Sequence, residues 1–353
     1  MLARIAALAL LTVSPLSCAS RESVGTSSVS ILGAGVVNDP ANKSLRFDLL
    51  KFGLDGFCKE MLAAGVPLKM SDDEPVMGRF QASACQSQVL DEENRKSFVV
   101  QYSGSGYAAS AQGGRVTFTT TGLVEYAADF LMHEGALYVY FRPRVVDASA
   151  FQTKLIESEL AKSALSVLGV QPDAFGQRVV DAQLRRGFTV IRKDSGETEL
   201  GLGVIPLGER PYHPFTVKTE KRVVLNERTE VHRGQQDFVG PIQVQGDDQA
   251  LFLTVAVDGA PGVDVLVLRE STGRLMLEQY LAAPGPAALR EPALLDEPAT
   301  RGQDWKRYVL VPEGRYYVLL DNTAAAGRTA PPAGPADGSS ARVDVLILAG
   351  DRP

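Results

Sequence analysis

The stretch RVTFTTTGLVEYAADF, Arg115 to Phe130, decides the fold. It is dense in β-branched and aromatic residues and lacks a helical period, which is the composition of a long strand. A turn signal follows at His133-Glu134-Gly135, and Glu134 to Val146 repeats the same composition. Upstream, Met77 to Val89 and Ser97 to Ala108 read alike, with Asp91-Glu92-Glu93-Asn94 between them and Gly113-Gly114 after them. Four such segments in succession predict an antiparallel meander as the core of a first domain.

Helical spacing brackets the meander. Phe47, Leu50, Leu54, Phe57 and Met61 recur at steps of three and four, so Ser44 to Ala64 is expected to be an amphipathic helix between Asn38-Asp39-Pro40 and Gly65. Leu155, Ile156, Leu160, Ala164 and Val167 form a second stripe, predicting a helix over Phe151 to Leu168, with another over Asp173 to Leu184. Short strands are expected at Phe188 to Arg192 and Glu199 to Ile205. The fold class is therefore α+β, an antiparallel sheet with packed helices, up to a boundary marked by Pro206, Pro211 and Pro214.

Beyond the boundary the residues predict an all-β sandwich. Its strands are expected at Arg222 to Val231, Gln236 to Val244, Ala250 to Val257, Val263 to Arg269, Leu275 to Tyr280, Trp305 to Val311, Tyr316 to Leu320 and Arg342 to Leu348. Glu313-Gly314 reads as a tight hairpin, and Ala282 to Gly302 and Ala324 to Ser340 as long loops rich in Pro, Ala and Gly. The organisation predicted is a signal peptide over 1–17, a tether over 18–30, the α+β domain over 31–210, a linker and leading strand over 211–235, and the sandwich over 236–350.

The first residues carry an address. Arg4 precedes an apolar run from Ile5 to Val13, too short to span a bilayer, and Ser14-Pro15-Leu16-Ser17-Cys18 follows. Two processing routes fit: cleavage near Ala19 or Ser20 by an ordinary signal peptidase, giving a periplasmic or secreted protein, or lipidation of Cys18. Leu16-Ser17-Cys18 resembles the lipobox of bacterial lipoproteins, although Pro15 stands where that family has an aliphatic residue. The resemblance implies a lipid anchor on Cys18, a membrane partner and, with Ala19 next, sorting to the outer membrane. The Ser-rich run from Ala19 to Ser30 suits a flexible tether.

Composition narrows the partners. The formal net charge is −6, spread without a long basic block, which argues against nucleic acid. With Cys18 assigned to the anchor, Cys58 and Cys85 are left as a pair that an oxidising compartment would join in a disulfide; two free thiols are the alternative. No cofactor and no metal are expected. Ile31-Leu32-Gly33-Ala34-Gly35 has the look of a dinucleotide fingerprint, but Asn38 replaces the third glycine and Asp39-Pro40 blocks the helix that should begin there. The acidic runs Asp72-Asp73-Glu74, Asp91-Glu92-Glu93 and Asp247-Asp248 lack the alternating spacing of a calcium loop and read as solvated turns. Three histidines, His133, His213 and His232, and Gly104-Ser105-Gly106 do not compose a nucleophile with its base.

Two further resemblances concern the domains. Val311 to Thr323 is similar to the closing hairpin of exported β-sandwich accessory modules, which implies a non-catalytic role. The element order of the first domain resembles tubular lipid-binding lipoproteins, which implies an apolar groove lined by Ile156, Leu160, Ala164 and Val167; plain core packing of that stripe is the alternative reading. The function expected is a non-enzymatic envelope lipoprotein that binds or scaffolds another envelope protein. A carrier of lipid or another apolar ligand comes second, and a hydrolase with a site hidden from the sequence third.

Overall fold

The computed structural model describes residues 39, 41, 57–92, 95–110, 114–157, 177, 180–181, 183–193, 198–329 and 340–353. The chain is mostly strand, arranged as one curled antiparallel sheet followed by a two-sheet sandwich.

The first sheet contains β1 (Val66–Leu68), β2 (Gly78–Glu92), β3 (Arg95–Ser110), β4 (Gly114–His133), β5 (Ala136–Ile156), β6 (Phe188–Lys193) and β7 (Thr198–Leu202), paired in chain order. β4 and β5, of 20 and 21 residues, are far longer than the usual strand of about five or six. A sheet this long coils with its twist, and three register shifts between β4 and β5, at Thr117/Phe118, Thr121/Leu123 and Glu125/Tyr126, bend it further. The outcome is a curled half-barrel. Glu134 and Gly135 turn β4 into β5 with φ of 48° and 75°, the left-handed pair that a two-residue hairpin needs.

The alternation of these strands sends aromatic residues to one face. Phe80, Phe98, Val100, Tyr102, Phe118, Val124, Tyr126, Phe130 and Phe141 form a buried core there. The helix α1 (Phe57–Ala63) adds Phe57 and Met61, and Leu184 adds a contact from the helical residues 183–186. Phe57, Phe98, Phe141 and Phe188 lie within stacking or edge-to-face distance, with Phe141 and Phe188 4.4 Å apart. Cys58 of α1 is disulfide-bonded to Cys85 of β2, with Cα atoms 5.3 Å apart.

The sandwich stacks two four-stranded sheets. One has the order β13 (Trp305–Val311), β10 (Gln249–Asp258), β15 (Ser340–Asp351), β8 (Arg222–His232). The other has the order β12 (Leu295–Thr300), β11 (Gly262–Arg269), β14 (Gly314–Asp321), β9 (Gln236–Val244). Inward-facing residues such as Leu251, Leu253, Val265, Val318, Val345 and Ile347 are wholly or almost wholly buried between them. The outer face of the second sheet is covered by the helix α2 (Glu270–Ala282) through Met276, Leu277 and Tyr280.

Four expectations need correction. Phe151 to Ile156 is not the start of a helix but the end of β5, with Leu155 opposite Thr117 and Ile156 opposite Val116; pairing along a neighbouring strand overrides local periodicity. The remainder of that stripe, and residues 44–56 of the first helix, lie outside the described residues. Leu275 to Tyr280 belongs to α2 rather than to a strand. Leu295 to Thr300, read as loop, is the edge strand β12. Glu313-Gly314 does not close a hairpin, because β13 and β14 belong to opposite sheets and the link carries the chain from one to the other. Among the described residues the chain is mostly strand with little helix: the antiparallel sheet of the α+β expectation is present, and the helical residues beside it are α1 and 177, 180–181 and 183–186.

A hydroxyl-lined groove beside a buried junction

The register of β2 to β5 sets out the face opposite the aromatic core row by row. Arg79, Tyr107, Thr117 and Leu155 stand opposite one another across the four strands. Two residues along comes Gln81, Ser105, Thr119 and Gln152; beyond that come Ser83 at a register shift, Ser103, Thr121 and Ala150. Exposure rises along this face, from Thr117 at 1% to Thr119, half-buried, and Thr121, exposed. The sandwich covers the first row, and the sheet emerges from it at the second.

The emerging rows form a groove of about 690 Å³, within the range of small-molecule sites. Its lining is Ser83, Ser103, Gly104, Ser105, Thr119, Thr120, Thr121, Ala150, Phe151 and Gln152, with no charged side chain. Ser83 donates to the Ser103 carbonyl at 3.2 Å, and Lys154 at the rim donates to Gln152 Oε1 at 2.5 Å. Gly104 is required by packing, since a Cβ there would stand 2.7 Å from the Phe80 ring. The groove floor is thus pressed directly onto the aromatic core.

The covered row is the junction between the two units. Arg79, 1% exposed, reaches the side of the sandwich where β8 and β9, the edge strands of its two sheets, approach each other. Its Nε and Nη2 donate to the two oxygens of Asp237, each at 2.8 Å, and Nη2 also pairs with Glu227. Tyr107 donates to Asp237 Oδ1 at 2.7 Å and accepts the Phe238 N–H at 2.8 Å, while Thr229 donates to Asp237 Oδ2 at 3.0 Å. Burial works against the Asp237 charge, but Arg79 beside it and these donors hold the carboxyl below the usual aspartate range. Burial, followed by the Asp237 charge, lifts the Tyr107 phenol well above its ordinary value, so it stays a donor.

Backbone pairing reinforces the contact. Val76 bonds to β8 through its N–H to the Arg228 carbonyl at 2.8 Å and its carbonyl from the Glu230 N–H at 2.9 Å, so it pairs with an otherwise free edge. Arg115, fully buried, lies 3.7 Å from the centre of the Tyr280 ring of α2 and donates to the Ala283 carbonyl at 2.8 Å and to Glu157 at 2.5 Å.

The residues singled out from sequence are distributed differently. Cys58 and Cys85 meet; Cys18, Leu160, Ala164 and Val167 lie outside the described residues. Ile156 is buried in β5 against Val116. His133 sits at the β4–β5 turn, His213 Nδ1 is 3.0 Å from the Asn226 carbonyl, and His232 is buried with Nε2 4.0 Å from Glu230. Ser105 lies in a strand lining the groove. Asp72 is not a solvated turn residue, because its carboxylate accepts the N–H groups of Leu202 and Tyr212 at 3.0 and 2.7 Å. Among the described residues no group of three His, Cys, Asp or Glu side chains is placed to hold a metal, and no helix is long and apolar enough to cross a membrane.

Sequence reading missed Arg79, Arg115, Glu227 and Asp237. A signal existed for two of them: Arg79 in Met77-Gly78-Arg79-Phe80 and Asp237 in Gln236-Asp237-Phe238-Val239 are charges inside runs that read as strands, and a buried charge needs a partner. Fold and groove together define a class, a curled antiparallel sheet fused to a β-sandwich with an uncharged, hydroxyl-rich groove beside the junction. Compared with known proteins, the chain matches no family model and no curated protein.

Proposed function

We propose that the protein is a non-enzymatic binding module of the bacterial envelope, tethered to the outer membrane by a lipid on Cys18, that holds another envelope component at its folded part. The observation that carries this reading is the groove: an uncharged, hydroxyl-bearing face of the sheet, fixed against the sandwich by a buried ion cluster. Such a surface suits recognition in which placed polar groups orient the ligand. The Cys58–Cys85 bond supports export, since disulfides persist in oxidising compartments. The hydroxyl-rich lining favours this reading over a carrier of lipid, which needs an apolar cavity.

The test is fractionation and intact mass. Wild type is expected in the membrane fraction with acyl chains on an N-terminal Cys18, and Cys18→Ser in the soluble fraction without them. An unmodified soluble wild-type protein would defeat the tethered reading.

A further inference from the structure

We infer that the groove across β2 to β5 is a binding site for a neutral glycan. This deepens the binding-module reading and rests on it. About a fifth of the chain is charged, 22%, so about two of the ten lining positions would carry charge if the groove were an ordinary piece of surface; none does. Charged side chains stand around it: Lys154 at one rim, and exposed Asp147 on β5, whose partner Leu123 follows Thr121 in the next row.

The chemistry excludes other ligand classes in turn. A phosphate or carboxylate ligand is held by Arg or Lys forks, and the lining offers none. An acyl chain would cover the hydroxyls of Ser103, Ser105, Thr119 and Thr121 without giving them partners. A polyhydroxylated ligand both donates and accepts, as these hydroxyls and the Gln152 amide do. The hydroxyls lie on adjacent strands about 4.8 Å apart, a spacing comparable to one sugar ring. Successive rings laid across β2 to β4 in the outer row would therefore meet Ser83, Ser103 and Thr121, and a ring over β5 the Gln152 amide.

The full chain, solubilised in detergent, would be titrated with chitohexaose, cellohexaose and maltohexaose by isothermal calorimetry. At least one hexasaccharide is expected to bind, with an affinity little changed by added salt, because no charge is neutralised. Thr119→Lys should weaken that binding about tenfold or more, and Ser271→Lys, on the exposed side of α2, should leave it unchanged. Should Thr119→Lys fail to fold, the paired substitution Ser105→Ala with Thr119→Val removes two hydroxyls at nearly constant shape and must weaken binding likewise. Absence of binding to all three sugars overturns the inference, as does binding that these variants leave intact; capture of an extended peptide in the groove with no sugar bound would assign it to protein instead. The fate of Cys18 is read separately by mass, so a failed titration with an intact anchor rejects the glycan and leaves the tethered module standing.

Discussion

Arg79 sits where two physical demands collide. Its strand sends it out of the aromatic core, and the sandwich edge then buries it, so its charge survives only through Asp237 and Glu227. Removing one member of a buried ion cluster leaves the others uncompensated, at a cost of about 3–5 kcal/mol. Arg79→Ala is therefore expected to lower stability by that amount in urea unfolding, and a loss under about 1 kcal/mol would show the cluster to be solvated. The same site predicts a pH dependence. An unfolded aspartate titrates near 3.9, and the folded Asp237 carboxyl sits lower, held there by Arg79 against the effect of burial. Its contribution is then complete above about pH 4 and lost as pH falls through the folded value. Urea midpoints taken from about pH 6 down to about pH 3 should fall less steeply in Asp237→Asn than in wild type; parallel curves would contradict the assignment.

At the scale of elements, the helix α2 shows what was legible and what was not. Leu275 to Tyr280 carries enough large apolar residues to pass for a strand among strands, and Gly273 weakens the helical reading. The structure shows why the glycine is there: a Cβ would stand 2.5 Å from the Tyr317 ring, so the helix packs on β14 only with a bare Cα. With Gly273 counted as an inward position, Gly273, Met276, Leu277 and Tyr280 are a helical stripe, and all four are buried. Met276→Ala should accordingly cost about 2–5 kcal/mol, whereas Leu275→Ala, 48% exposed, should stay within about 0.5 kcal/mol; equal losses by thermal unfolding would sink the helical assignment. The meander was legible because strand composition is local to each of β2 to β5, and so was the Cys58–Cys85 pair. The end of β5 and the crossing from β13 to β14 were not, because each is set by the neighbour a segment meets. The groove was illegible for the same reason: Ser83, Ser103, Thr121 and Ala150 converge only through register.

On the scale of the whole molecule, the junction decides whether the sheet and the sandwich unfold apart or together. Arg79, Tyr107 and Arg115 are each almost completely buried by residues of the other unit, and Val76 extends its sheet. Opening that contact would expose paired charges and aromatic rings at once, so the two units should share one cooperative transition. The disulfide and the single tryptophan allow this to be measured. Cys58–Cys85 lies within the first unit, and reducing it should remove about 3 kcal/mol by freeing the chain between positions 27 apart in sequence. Trp305, the only tryptophan, is buried in the sandwich and its fluorescence reports on that unit alone. If the junction couples the units, reduction shifts the Trp305 transition in urea to lower concentration together with the far-ultraviolet signal of the whole chain. A Trp305 midpoint that stays in place while the remaining signal moves would mean that the sandwich stands by itself and the buried ion cluster is only a contact between neighbours.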